Sequence, residues 1–297
     1  MTTAVPPPPP YPPSPPQRPG TDSGWWSRWR APLVGPLVVA VLLAAVPFAW
    51  HQAGHLLADE PAVVRVLSTT VFHTDNEGDT YVFPDALDLT LAERRSAYAA
   101  EPARSGSWET ADRWFRSRGG VDPDASDVQV VLQGVRQTPV RITDLEVNAD
   151  CIAPLTGTLM LAPAAGEDDS IRIGVDLDSA RRVPYIRDGS GKKTPYFPEH
   201  TISLAEKEQV VLDILATTTR HYCAYTYRLK ILTEDGERSL TIDEHGQPFK
   251  VSAAPFTKVG EFWKPPTFRR LYIGGDLNHT GAVDPWAPKD PKTYLAP

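Results

Sequence analysis

Residues 31–50 read APLVGPLVVAVLLAAVPFAW, twenty residues without a charge, and no second apolar run of this length occurs. As a helix rising ~1.5 Å per residue they span ~30 Å, the thickness of a bilayer's hydrocarbon core. Such a run must sit in lipid, be cleaved away, or pack inside a fold. It lacks the amphipathic stripe of an ordinary core helix. Signal cleavage asks for small residues at −1 and −3. Here Ala49 has Pro47 at −3 and Ala53 has His51. Trp25, Trp26 and Trp29 precede the run and Trp50 closes it, so half of the eight tryptophans fall at the two headgroup levels. Pro32 falls in the first turn, where its missing donor costs little. The expectation is one uncleaved signal anchor, residues 25–54 with its flanks, contacting the lipid bilayer through residues 31–50.

Basic residues near the ends set the orientation. Arg18, Arg28 and Arg30 lie before the run; after it Asp59 and Glu60 come before the first basic residue, Arg65. The positive-inside rule then puts the N-terminus in the cytoplasm and the rest outside the cell membrane. Trp25, Trp26, Trp29, Trp50, Arg28 and Arg30 are the expected membrane-interface residues. Proline is also concentrated here: ten of 31 lie in the first twenty residues. Residues 1–24 therefore read as a disordered, solvated polyproline tail. It is a spacer, or a docking site through Pro9, Pro10 and Tyr11.

The exported remainder, from His51 on, has 247 residues, enough for one large domain or two small ones. The first fifty residues carry three arginines against one aspartate, so of the net −7 the remainder carries −9. That charge argues against a nucleic-acid partner held through phosphates. Residues 62–73 and 79–83 read as strands joined by the DNEGD turn into a hairpin. Residues 87–100 and 108–118 read as helices, the second capped by Ser107 and stopped by Gly119-Gly120. In it Trp108, Ala111 and Phe115 form a core stripe flanked by Trp114. Residues 55–127 thus form a membrane-proximal strand and helix region.

From Val128 short strands repeat. Val128, Val130 and Leu132 alternate with glutamines. Ile171, Ile173, Val175 and Leu177 share one parity, as do Val210, Leu212, Ile214 and Ala216. The extra apolar residues Val211 and Leu215 point to a strand covered on both faces. Cys223, Tyr225, Tyr227, Leu229 and Ile231 form one further face. A parity switch between Ile142 and Leu145 predicts a bulge near Thr143, and TEDGE at 233–237 predicts a hairpin. The fold class is mainly β (α+β): an immunoglobulin-like antiparallel β-sandwich over residues 128–253. Residues 254–297 carry seven prolines and read as an extended tail, with a strand only at Leu271–Ile273 and with Trp263 and Trp286 favouring docking.

Both cysteines, Cys151 and Cys223, fall outside the membrane, where disulfides persist, and are expected to be bonded. The competing reading is a Cys223 nucleophile activated by His221, two residues away on the same strand face. The run Thr219-Arg220-His221-Tyr222-Cys223 matches neither the T-L-x-T-C strand of sortases nor the S-H-G-C of L,D-transpeptidases. Asp176 and Asp178 have the spacing of a carboxylate pair, but Arg172, Arg181 and Arg182 make surface ion pairing the simpler reading. His51 with His55, and the acidic trios Asp75, Glu77, Asp79 and Asp122, Asp124, Asp127, fit no complete metal motif. Asn278-His279-Thr280 fits a glycosylation sequon. No catalytic residue, cofactor or metal site is assigned.

The PPPPPYPPSPP tail, the WWSRWR border, the Ala/Val/Leu/Pro run and the β-patterned remainder together resemble a group of single-pass membrane proteins of high-GC Gram-positive bacteria. The resemblance covers chain organisation and implies a cell-envelope location; it implies no activity. The functional expectation is a membrane-anchored, non-enzymatic binding or assembly module of the envelope. The alternatives are an envelope transpeptidase or hydrolase using Cys223 and His221, and a relay whose proline tail docks a cytoplasmic protein.

Overall fold

Strand β12 (Tyr222–Thr233) pairs with three other strands. Its Cys223, Tyr225, Tyr227, Leu229 and Ile231 are all buried and alternate with more exposed neighbours, as a period of two demands. β12 pairs antiparallel with β5 (Val140–Ile152), and Thr143 is the extra residue where the register shifts beside Lys230 and Ile231. The expected bulge is therefore present. β14 (Phe249–Ser252) pairs with the first part of β12, and β13 (Gly236–Ile242) returns along its second part as the expected hairpin. β10 (Ile202–Leu204) extends this sheet beside β5, and β3 (Asp122–Pro123) closes its other end beside β14.

The structure, a computed structural model, describes residues 62–72, 80–162, 172–197, 199–265, 268–275, 278 and 282–296. The apolar run, its Trp and Arg borders, the proline tail, His51, His55 and Asp75, Glu77 and Asp79 lie outside the described residues. Among the described residues no helix is long and apolar enough to cross a membrane.

A second sheet of six strands runs β1 (Val64–Phe72), β4 (Ala125–Gly134), β11 (Gln209–Thr217), β7 (Ile173–Asp176), β8 (Tyr185–Arg187) and β9 (Lys193–Pro195). Its Val128, Val130, Leu132, Val175, Leu212 and Ile214 join Ile142, Leu145, Tyr225, Tyr227 and Phe249 of the first sheet in one buried cluster. A four-stranded sheet follows the order β18 (Ala287–Lys289), β17 (Arg270–Ile273), β6 (Thr158–Leu161) and β2 (Tyr81–Phe83). Helices α1 (Leu91–Ala100), α2 (Pro102–Ser105) and α3 (Trp108–Arg116) accompany it, and β15 (Thr257–Val259) with β16 (Phe262–Lys264) makes a separate ribbon. Among the described residues the protein is mainly β with several sheets, 49% strand against 11% helix.

Several expectations are corrected. The sheets are mixed, not purely antiparallel: β11 with β7, β14 with β3, and β17 with β6 are parallel. Parallel neighbours need long connections, and such connections leave no mark in residue alternation. β1 and β2 do not form a hairpin. β1 pairs with β4 through a long half-exposed ladder, while β2, buried at all three residues, pairs with β6. α1 begins at Leu91 rather than Leu87, because Thr90 and Glu93 form a capping box there. The backbone just before it is claimed elsewhere: Leu87 N–H donates to Thr158 Oγ1 and Leu89 N–H to Tyr272 Oη. In α3, capped by Ser107 as expected, Trp114 rather than Trp108 joins Ala111 and Phe115 in the core. Trp114 and Phe115 sit one step around the helix, so the buried stripe turns away from Trp108. Val211 on β11 is 51% exposed, so that strand is covered on one face only at this point.

Candidate functional site

Cys151 and Cys223 stand directly opposite each other in the β5–β12 ladder and are bonded. The expected disulfide is present. Cys223 is buried in the shared core and Cys151 is half-buried. The bond pins the end of the ladder, one residue before its last pair, Ile152 and Tyr222.

The turn leading into β12 is organised by Asp178. Its carboxylate accepts hydrogen bonds from Thr218 Oγ1 at 2.9 Å, Thr219 N–H at 2.8 Å and Thr219 Oγ1 at 3.0 Å. His221 Nδ1 lies 2.7 Å from Asp178 Oδ1, and Arg220 pairs with the same carboxylate at 3.7 Å. Burial alone would raise this carboxyl's pKa. The hydrogen bonds from Thr219, His221 and Thr218 outweigh it and hold the pKa well below the usual carboxylate range. The expected pairing of Asp176 and Asp178 with nearby Arg172, Arg181 and Arg182 is corrected. Asp176 instead accepts from Asp178 N–H, and Arg172 pairs with Asp127 at 2.9 Å. Arg182 donates to Leu177 O and reaches Cys151 Sγ at 4.0 Å. The side chains of Asp178 and His221 thus meet, although they are 43 residues apart.

Beyond the disulfide lies a cleft of about 630 Å³. One wall is the last ladder pair, with Ile152 61% exposed, together with Leu155. Another part of the wall is Pro84 and Gly119 to Val121. Gly120 makes this wall possible. A Cβ there would lie 2.8 Å from Phe115 O and 2.9 Å from Phe83 Cε1, closer than packed atoms tolerate. Partial burial pushes the Tyr222 hydroxyl pKa up. The rim carries Glu244, Gln247, Lys250 and Arg116.

Arg116 is already engaged. It donates to both oxygens of fully buried Asp122 at 2.9 and 3.0 Å and to Asp112 at 3.1 Å, and Tyr81 Oη donates to Asp112 at 2.9 Å. Burial alone would lower the guanidinium's pKa; Asp122 and Asp112 more than reverse this and raise it. The same ion pair holds the stitch between sheets, where Val121 bridges to Val82 and Asp122 pairs with Val251. Lys250 and Glu244 are therefore the other charged residues of the lining. No Ser, Thr, Cys or His lines the cleft among the described residues. An apolar body with a few polar groups around it is the make-up of a holding site.

Sequence reasoning missed this cleft. Its only signals were Gly119-Gly120, read as a helix stop, and an apolar Ile152 next to Cys151. Among the described residues no group of three or more His, Cys, Asp or Glu is placed to hold a metal. Asp122, Asp124 and Asp127 bond respectively to Arg116, Ala254 N–H and Arg172. Asn278 Nδ2 donates to Asp284 O. Among known proteins, no family model and no curated sequence matches the chain.

Proposed function

We propose that this is a single-pass, membrane-anchored extracytoplasmic protein whose β-rich unit is a non-enzymatic binding or assembly module of the cell envelope. Residues 31–50 lie in the bilayer, the N-terminal tail is cytoplasmic, and the unit from residue 62 on is outside. The observation that carries this reading is the Cys151–Cys223 disulfide, a bond that persists in oxidising compartments. The cleft beside it supports a binding role, and its chemistry favours a ligand with an apolar body and charged ends that meet Lys250 and Glu244. An enzyme using Cys223 and His221 would need a free thiol. Here the sulfur is bonded to Cys151 and the imidazole to Asp178. Docking of the proline tail to a cytoplasmic protein is a separate role that this module leaves open.

The test is a photo-crosslinking residue at Gln247, on the cleft rim, in the full chain in intact cells. The same residue at exposed Val211 is the control. A discrete product from position 247 that Ile152→Asp abolishes supports the reading. Identical products from both positions, or none from either, contradict it.

A further inference from the structure

The β15–β16 ribbon is open on both faces. Lys258 stands opposite Trp263 and Val259 opposite Phe262, so alternation puts Val259 and Phe262 on one face and Lys258 and Trp263 on the other. Val259, Phe262 and Trp263 are 44%, 47% and 44% exposed. A two-stranded ribbon alone is marginal in water. This one is tied to the rest by a bridge in which Trp263 and Ala296 exchange N–H···O bonds at 2.8 Å, and exposed Leu295 adds to the same apolar end. Trp286 shows the contrast, since it is fully buried. Folding thus consumes one tryptophan of this segment and leaves the other in water.

The ribbon carries Lys258 and Lys264 against Glu261, a local positive excess within a chain of net charge −7. The Lys258 ammonium lies 5.7 Å from the Trp263 ring, and Lys264 closes β16. Aromatic rings bracketed by lysines suit the headgroup layer, where rings sit at the polar boundary and ammonium groups meet phosphates. Glu261 lies in the turn with Gly260.

We propose that the β15–β16 ribbon is a second membrane contact, seated in the headgroup layer of an anionic bilayer. The proposal rests on the anchoring reading above. The test is amide hydrogen exchange over residues 257–264 of the full chain in lipid nanodiscs, phosphatidylcholine alone against phosphatidylcholine with phosphatidylglycerol. Exchange is expected to slow about tenfold in the anionic discs. Lys258→Glu with Lys264→Glu should erase that difference while protection of β5 and β12 stays unchanged. Equal exchange in both discs overturns this proposal alone. Protection that grows with protein density in either disc assigns the ribbon to another copy and also overturns it. A chain that co-purifies with neither disc overturns the anchoring and this proposal together.

Discussion

From Val128 in β4 and from Tyr222 to Leu232 in β12, buried side chains alternate with more exposed ones. In β2 and β6 every side chain is buried, and in β17 all but the first. Both regions are core, but they are built differently. The two large sheets each spend one face on a shared interior. The small sheet is covered on both faces, by Trp114, Phe115 and Trp286 on one side and by Val121, Ala254 and Phe268 on the other. The first kind of burial writes its period into the sequence. The second erases it, because strands covered twice have no polar face.

The contrast sharpens if the doubly covered sheet is the costlier to disturb. Trp286→Ala should be the largest single effect, about 5 kcal/mol, because the ring is fully buried and packs directly on Gly274. Denaturant unfolding of the full chain would read it. A loss under 2 kcal/mol would mean that this sheet is loosely held. Replacing both cysteines by serine should cost about 4 kcal/mol, since the bond closes a loop of 72 residues. The β5–β12 register should survive the change, read by amide exchange, because the strands remain paired along their length.

Asp178→Asn should cost about 2 kcal/mol at pH 7 through lost charge-assisted hydrogen bonds. The native carboxyl is held below its usual pKa. Its contribution is therefore present above about pH 4 and lost as pH falls through the lower native value. The stability gap between wild type and Asp178→Asn should narrow steadily between about pH 5 and pH 2, and a constant gap would remove the carboxylate from the explanation. Val211→Thr, on the open face of β11, should change stability by less than about 0.5 kcal/mol. A larger loss would show that something covers that face.

The same contrast explains what was legible. The faces of β4 and β12, the bulge at Thr143, the 233–237 hairpin, the Ser107 cap and the disulfide followed from alternation, turn chemistry and cysteine count. The four-stranded sheet did not. Residues 79–83 and 271–273 were legible as strands, but their partners around positions 159 and 288 were not, and strands of three or four residues are too short for alternation to show which ones pair. The cleft was hidden for a related reason. Gly120, Ile152, Tyr222 and Lys250 come from separate elements, and only the folded register makes them neighbours. Asp178 and His221 were each visible, but their meeting depends on a turn that no local pattern announces.

An exported, stapled unit can be tested on intact cells with a membrane-impermeant maleimide, applied before and after an impermeant reductant. The proposed placement predicts no labelling before reduction and labelling of half-buried Cys151 after it, without permeabilising the cells. Labelling of either cysteine before reduction, or only after permeabilisation, would contradict it.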